Sequence, residues 1–129
     1  IVIAPSNPLV SILPILKIPG FHTMLQKAIA PILAVSPLIA GKALKGPADR
    51  MLTSLNYRAD AVGVAHFYEN IAAYFLMDSN DVELSDEVSK LGMKPYTADI
   101  LMPDLAGKVR VAHEILEIYK TISRVGSKC

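Results

Sequence analysis

Two short stretches of the 129-residue chain carry side chains able to hold an anion. The first is Pro5-Ser6-Asn7-Pro8, with Ser11 one turn further on. Asn7 suits an N-cap and Pro8 the first position of a helix, so free amides, hydroxyls and a carboxamide gather at the positive end of a helix dipole. Such a nest can hold a phosphate without a metal, and the same residues equally make a plain capping turn.

The second stretch is Gly41-Lys42-Ala43-Leu44-Lys45-Gly46-Pro47-Ala48-Asp49, a basic loop that feeds a helix start. Lys42 and Lys45 would each bring a positive charge to an oxyanion, which suits a diphosphate; solvated surface lysines are the competing reading. Gly46 is followed by Pro47 and Ala48, so the stretch is not a Walker loop. Asp49 falls in the first turn of the helix, where a carboxylate faces unpaired amides.

Other titratable residues fall into no catalytic pattern. His22, His66 and His113 are far apart and show no metal-ligand spacing, so they read as surface or helix-face histidines. Asp78-Ser79-Asn80-Asp81 offers oxygen atoms to a magnesium ion but lacks the length and glycine of a calcium loop, and a capping turn accounts for it better. Cys129 stands alone with no neighbouring base. No catalytic residue and no metal ligand is assigned.

These residues need elements to position them. Ile1 to Ala4 reads as a strand buried on both faces, ended by Pro5, and the helix starting at Pro8 is limited by Pro14. A second helical stretch covers about Phe21 to Ile29, and Ile32 to Ser36 is the next buried strand. Leu38 to Gly46 reads as a loop, followed by a helix from Pro47 to about Asn56 and another, capped by Asp60, to about Asn70. Ala73 to Met77 is the third strand, Asp81 to Leu91 a helix stopped by Gly92, and Tyr96 to Leu101 the fourth strand. The last helix starts at Pro103-Asp104 and ends before Gly126, with Leu105, Val109, Ala112, Leu116 and Tyr119 as its apolar face. Strands alternating with helices predict an α/β fold with a mainly parallel sheet, whose ligands bind beyond the carboxyl ends of the strands. The loops at Pro5, Ser36, Asp78 and Met102 all fall at that edge.

The chain is 52% apolar and 19% charged, enough for one core and incompatible with intrinsic disorder. A net charge of +1 argues against a nucleic-acid partner. The uncharged runs Ile1 to Leu16 and Ala28 to Gly41 fall short of the roughly 20 residues a membrane span needs, and prolines interrupt both. No basic region precedes an apolar stretch as in a signal peptide, and a single cysteine favours a reducing, cytoplasmic setting. With no initiator Met and a first residue already inside a strand, residues 1–129 are expected to be a piece of a longer protein.

The run Pro5-Ser6-Asn7-Pro8-Leu9-Val10-Ser11-Ile12-Leu13-Pro14-Ile15-Leu16, then Ile18-Pro19-Gly20, resembles the 2-phospho-L-lactate transferases of coenzyme F-420 biosynthesis. So do Ala34-Val35-Ser36-Pro37-Leu38-Ile39 with Lys42 to Asp49, Gly63-Val64-Ala65, Phe75-Leu76-Met77-Asp78 and Ala98-Asp99-Ile100-Leu101-Met102. The resemblance implies a Rossmann-like three-layer α/β/α fold, of which residues 1–129 form the C-terminal part of a single transferase domain. It implies transfer of a 2-phospholactyl or enolpyruvyl-phospho group from a guanosine-diphosphate-linked donor to the deazaflavin FO, with release of GMP. Ser6, Asn7, Ser11, Ser36, Lys42, Lys45, Gly46 and Asp49 would bind the donor; the magnesium ligands and the deazaflavin site would lie mainly in the family's N-terminal part. The partners implied are small molecules, with a homodimer as one possible assembly. Leu13 and Ala40 stand where the family commonly has Gly, which leaves the donor open. A related, non-enzymatic family that binds nucleotide-sugars is the alternative; Ser6-Asn7-Pro8 and Lys45-Gly46-Pro47-Ala48 favour the transferase.

Overall fold

A computed structural model describes residues 1–43 and 45–126, so Leu44 and Cys129 lie outside the described residues. Four strands form one parallel sheet: β1 (Val2–Ile3), β2 (Leu33–Val35), β5 (Tyr74–Asp78) and β6 (Lys94–Ala98), in that spatial order. Two further strands, β3 (Leu38–Ile39) and β4 (Lys42–Ala43), make a small antiparallel hairpin. The helices are α1 (Leu13–Leu16), α2 (Phe21–Gln26), α3 (Ala48–Ser54), α4 (Ala61–Ala65), α5 (Ser85–Lys90) and α6 (Leu105–Gly126).

The central strands are buried on both sides because their alternate residues serve two different cores. Ala34, Phe75 and Met77 pack with Leu16, Leu52, Val64, Tyr68 and Val88 from the α1–α5 side. Leu33, Val35 and Leu76 pack with Val111, Ile118 and Ile122 of α6 on the other. The result is the three-layer α/β/α arrangement, with helices on both faces of a parallel sheet.

Several expectations change in detail. The first helix does not stop at Pro14. Residues Pro8–Ile12 form a wide π turn, in which Leu13 N–H reaches back to the Pro8 carbonyl, and the chain continues through α1. A proline inside a helix needs space around the preceding turn and lacks a donor, and the widened turn accommodates it. The supposed loop after Pro37 contains the β3–β4 hairpin, turned at Ala40 and Gly41 with φ of 47° and 73°. Both turn residues are left-handed, as tight hairpins require, and Ala40 is strained there where glycine would not be.

The fourth strand begins two residues early, at Lys94 rather than Tyr96, and ends at Ala98 rather than Leu101. Pro95 is tolerated because β6 is an edge strand, and the buried Asp78 carboxylate takes the Ile100 N–H, ending the ladder. The helix expected from Asp60 to Asn70 is shorter, α4 followed by a 3₁₀ turn over His66–Tyr68. Gly63 lets α4 lie against the preceding backbone, since a Cβ there would sit 1.9 Å from the Arg58 carbonyl oxygen.

The largest correction concerns α6. The face expected to be buried is exposed: Leu105 is 75% accessible, Val109 49%, Leu116 55% and Tyr119 45%, and Ala112 is exposed too. The sheet instead takes Val111, Ile118 and Ile122, with Ile115 partly buried. Both sets recur at helical spacing, one residue apart in register, so α6 carries two adjacent apolar stripes of which the sheet uses one.

Candidate functional site

A cleft of about 440 Å³ opens beyond the carboxyl ends of β1, β2 and β6. Pro5, Ser6 and Asn7 enter it from the end of β1, Ser36 and Pro37 from the end of β2, and Ile100 and Met102 from the segment after β6. Ser11 and Val10 on the π turn, Ile39 on the hairpin, Lys45 to Ala48 at the start of α3, and Lys108 on α6 complete it. In a parallel sheet this is where successive strand-to-helix connections converge, which is why residues distant in the chain meet here.

Two side chains hold these walls in place. Asn7 acts as the expected N-cap: its Oδ1 accepts from Leu9 N–H at 3.0 Å and Val10 N–H at 3.4 Å. Its Nδ2 donates to the Met51 sulfur at 3.4 Å, tying the π turn to α3. The Asn7 oxygen is therefore occupied by its own helix, and its part in the site is to position Ser6, Ser11 and the start of α3. The fully buried Ser36 hydroxyl accepts from Leu38 N–H and donates to the Leu38 carbonyl, both at 3.1 Å, which sets the direction of the hairpin.

The Asp78–Asp81 segment proves to be a capping turn with a reach beyond itself. Asp78, 2% exposed, accepts from Asn80 N–H at 3.0 Å, Asn80 Nδ2 at 2.6 Å and Ile100 N–H at 3.2 Å. Asp81 accepts from Ala40 N–H at 3.2 Å. The two carboxylates thus anchor the β6–α6 connection, which lines the cleft, and the turn of the hairpin, whose Ile39 lines it. Burial raises the Asp81 carboxyl above the ordinary range against the Ala40 hydrogen bond, which lowers it, and the charges of Asp78, Glu83 and Asp60 add to the rise.

Six of the eight expected binding residues line the cleft: Ser6, Asn7, Ser11, Ser36, Lys45 and Gly46. Lys42 lies outside that lining, exposed on β4, and Asp49 lies outside it in the first turn of α3. Lys108 was missed, being remote in sequence from both loops. It stands one turn into a helix whose start, capped by Asp104 through Gly107 N–H at 2.8 Å, adjoins Met102. The hydroxyls of Ser6 and Ser11 and the amines of Lys45 and Lys108 have no partner among the described residues, and no Asp or Glu is among the lining. A cleft with two cations, two free hydroxyls and no carboxylate favours an anionic ligand, while Val10, Ile39, Ile100 and Met102 give it apolar walls.

The described residues contain no group of three or more His, Cys, Asp or Glu able to hold a metal. Asp78 accepts from the Asn80 and Ile100 N–H groups and from Asn80 Nδ2, and Asp81 from the Ala40 N–H, so both carboxylates serve the turn and the connections beside it. His22, His66 and His113 are all exposed. Among the described residues no helix is long and apolar enough to cross a membrane.

Comparison with known proteins identifies the family. The sequence pattern of the family described as 2-phospho-L-lactate transferase CofD matches residues 1–114. A 2-phospho-L-lactate transferase of Methanosarcina barkeri is 31% identical over 122 residues, covering 95% of this chain and 39% of the relative. One from Methanococcus maripaludis is 31% identical over 121 residues, covering 94% and 38% respectively. A phosphoenolpyruvate transferase of Mycolicibacterium smegmatis is 38% identical over 104 residues, covering 81% of this chain and 32% of its own length. The chain thus spans about a third to two-fifths of the length of the curated relatives it matches. With its parallel sheet, its cleft beyond the strand ends and a family match over 114 of 129 residues, the chain belongs to the 2-phospho-L-lactate transferase family.

Proposed function

We propose that these residues form the anion-binding part of a transferase that moves a phospho-acid group from a guanosine-diphosphate-linked donor to the deazaflavin FO, with GMP as the leaving group. The observation that carries this reading is the cleft in which Lys45, Lys108, Ser6 and Ser11 face a shared space without a carboxylate. Charge on the phosphoryl and leaving oxygens grows as the bond to the nucleotide breaks. Fixed cations and hydroxyl donors that meet those oxygens stabilise that state over the ground state.

In this proposal Lys45 and Lys108 neutralise the diphosphate, and the Ser6 and Ser11 hydroxyls donate to its non-bridging oxygens. Asn7 and Ser36 act as positioning residues through the backbone they hold. Magnesium would draw its ligands mainly from outside residues 1–129, and no base for the acceptor hydroxyl proton is assigned within them. The donor is either lactyl or enolpyruvyl, since relatives named for each are similar to this chain.

Calorimetric titration of the chain with GDP tests the site. Lys45→Ala should weaken binding about tenfold, the equivalent of ~1.4 kcal/mol for one charge-assisted contact. Lys42→Ala, outside the cleft, should leave affinity unchanged. Equal effects of the two substitutions would remove the basis for placing the diphosphate in this cleft.

A further inference from the structure

Each of the two lysines in the cleft is reached through a segment tied to the same short turn. Asp78 ends the central strand β5 and Asp81 follows in the 3₁₀ turn Ser79–Leu84; both carboxylates are buried. Asp78 accepts from Ile100 N–H, in the connection that leads through Met102 to Lys108. Asp81 accepts from Ala40 N–H, in the hairpin that leads to Lys45. Asp78 also closes its own turn through Asn80, whereas the Asp81 carboxylate reaches 41 residues back along the chain.

The hairpin needs such a tie. Its ladder pairs Leu38 with Ala43 and Ile39 with Lys42, so the Ala40 N–H at the start of the turn lies outside the ladder and requires an acceptor elsewhere. Ala40 is also held at φ 47°, a left-handed conformation in which a side chain is strained. Strain of this kind persists where the surroundings fix it, and the Asp81 carboxylate supplies that hold. The segment carrying Lys45 runs from β4 to Pro47, at the start of α3. Its far end is fixed, because α3 is joined to the π turn by the contact between Asn7 and Met51. Lys45 therefore lies between two anchors, one at α3 and one at the hairpin turn.

We propose that Asp81 is a positioning residue for the anionic donor: by holding Ala40 it fixes the hairpin from which Lys45 enters the cleft. Asp81 lies outside the cleft lining, so it acts only through the hairpin. The role rests on the donor's diphosphate lying at Lys45. It differs from general support of the fold, because Asp81 and Lys45 must then act on the ligand as one unit, while Lys108, reached through the segment that Asp78 holds, acts apart from them.

Calorimetric titration of the chain and its variants with GDP tests this role, with melting curves showing that each variant is folded at the temperature used. Asp81→Ala should weaken GDP binding about fivefold, and Asp81→Asn, which keeps an oxygen for the Ala40 N–H, should bring it back to within about twofold of the parent. In a Lys45→Ala background Asp81→Ala should add little further loss, whereas in a Lys108→Ala background it should keep its full effect. General support of the fold would lower the melting temperature without any coupling to Lys45. If Asp81→Ala does not fold, Asp81→Ser, whose hydroxyl falls short of the Ala40 N–H, takes its place in the cycle. Undiminished binding by folded Asp81→Ala, equal losses in the two lysine backgrounds, or no recovery in Asp81→Asn would overturn the proposal. So would failure of both Asp81→Ala and Asp81→Ser to fold, which would assign the residue to the fold alone. A loss in Lys45→Ala without one in Asp81→Ala would overturn this role and leave the function of the cleft standing. GDP binding that is the same with and without the Lys45 amine would overturn both.

Discussion

On the side of α3, α4 and α5, the sheet meets side chains that are sealed from solvent: Leu52, Val64, Tyr68, Phe75, Met77 and Val88 are all 0% exposed. On the side of α6, contact is confined to one stripe. Ile118 and Ile122 keep 8% and 9% of their surface, while Leu116 and Tyr119 beside them are open. Several short helices wrap the first face from different directions and close over it; a single long helix cannot cover the width of four strands. The first face is therefore built from this chain's own residues, whereas the second carries more apolar surface than the chain itself covers. The cleft lies at the strand ends where both layers meet, taking Lys45 from the closed layer and Lys108 from the open one.

Truncation in the two layers should give the largest effect and the sharpest contrast. Leu52→Ala removes a fully buried side chain from surroundings that cannot collapse, and should cost about 4 kcal/mol; Ile118→Ala, at the rim of the open layer, should cost about 2 kcal/mol. Urea denaturation of the two variants measures both. Equal losses would mean that α6 is held as tightly as α3.

A smaller effect, of opposite sign, is expected where the closed layer adjoins the hairpin. The Asp81 carboxyl has a pKa raised by burial, so the folded state holds its proton more firmly than the unfolded chain does. The ionised form therefore opposes folding at neutral pH, and this opposition fades as pH falls through the raised folded value toward the ordinary one. Asp81→Asn keeps an oxygen for the Ala40 N–H and removes the charge. The variant should be more stable than the parent at about pH 7 and lose that advantage near about pH 4, as read from denaturation midpoints. A gain that does not change with pH would assign it to packing rather than to titration.

The order of elements was legible because their signals are local. Asn7 and Asp60 cap helices through amides two and three residues away, and the apolar runs around Ala34 and Leu76 have only a doubly covered strand as a sensible place. The α6 face was not legible, because two stripes of similar apolarity lie side by side and only the position of the sheet chooses between them. The hairpin was hidden by Ala40, an unusual residue for a left-handed turn position, held there by the hydrogen bond its N–H donates to the Asp81 carboxylate some forty residues away. In the cleft, Ser6, Ser11 and Lys45 were recognisable from the chemistry of their own loops. Lys108 was not, because it reaches the site only through the packing of α6 on the far face of the sheet.

The smallest expected effect tests whether the closed layer is as sealed as its exposures indicate. The Tyr68 hydroxyl is buried with no hydrogen-bond partner among the described residues, and burial alone pushes its pKa upward. A polar group taken from water without a replacement partner opposes folding, while the ring around it packs against Phe75 at 6.5 Å between centroids. Tyr68→Phe keeps the ring and removes the unpaired group, so it should raise stability by up to about 1 kcal/mol in urea denaturation. A loss instead would mean that the hydroxyl is hydrogen-bonded in solution, most simply to a water inside the α3–α5 layer. The closed face would then contain solvent, and its difference from the α6 face would be one of degree.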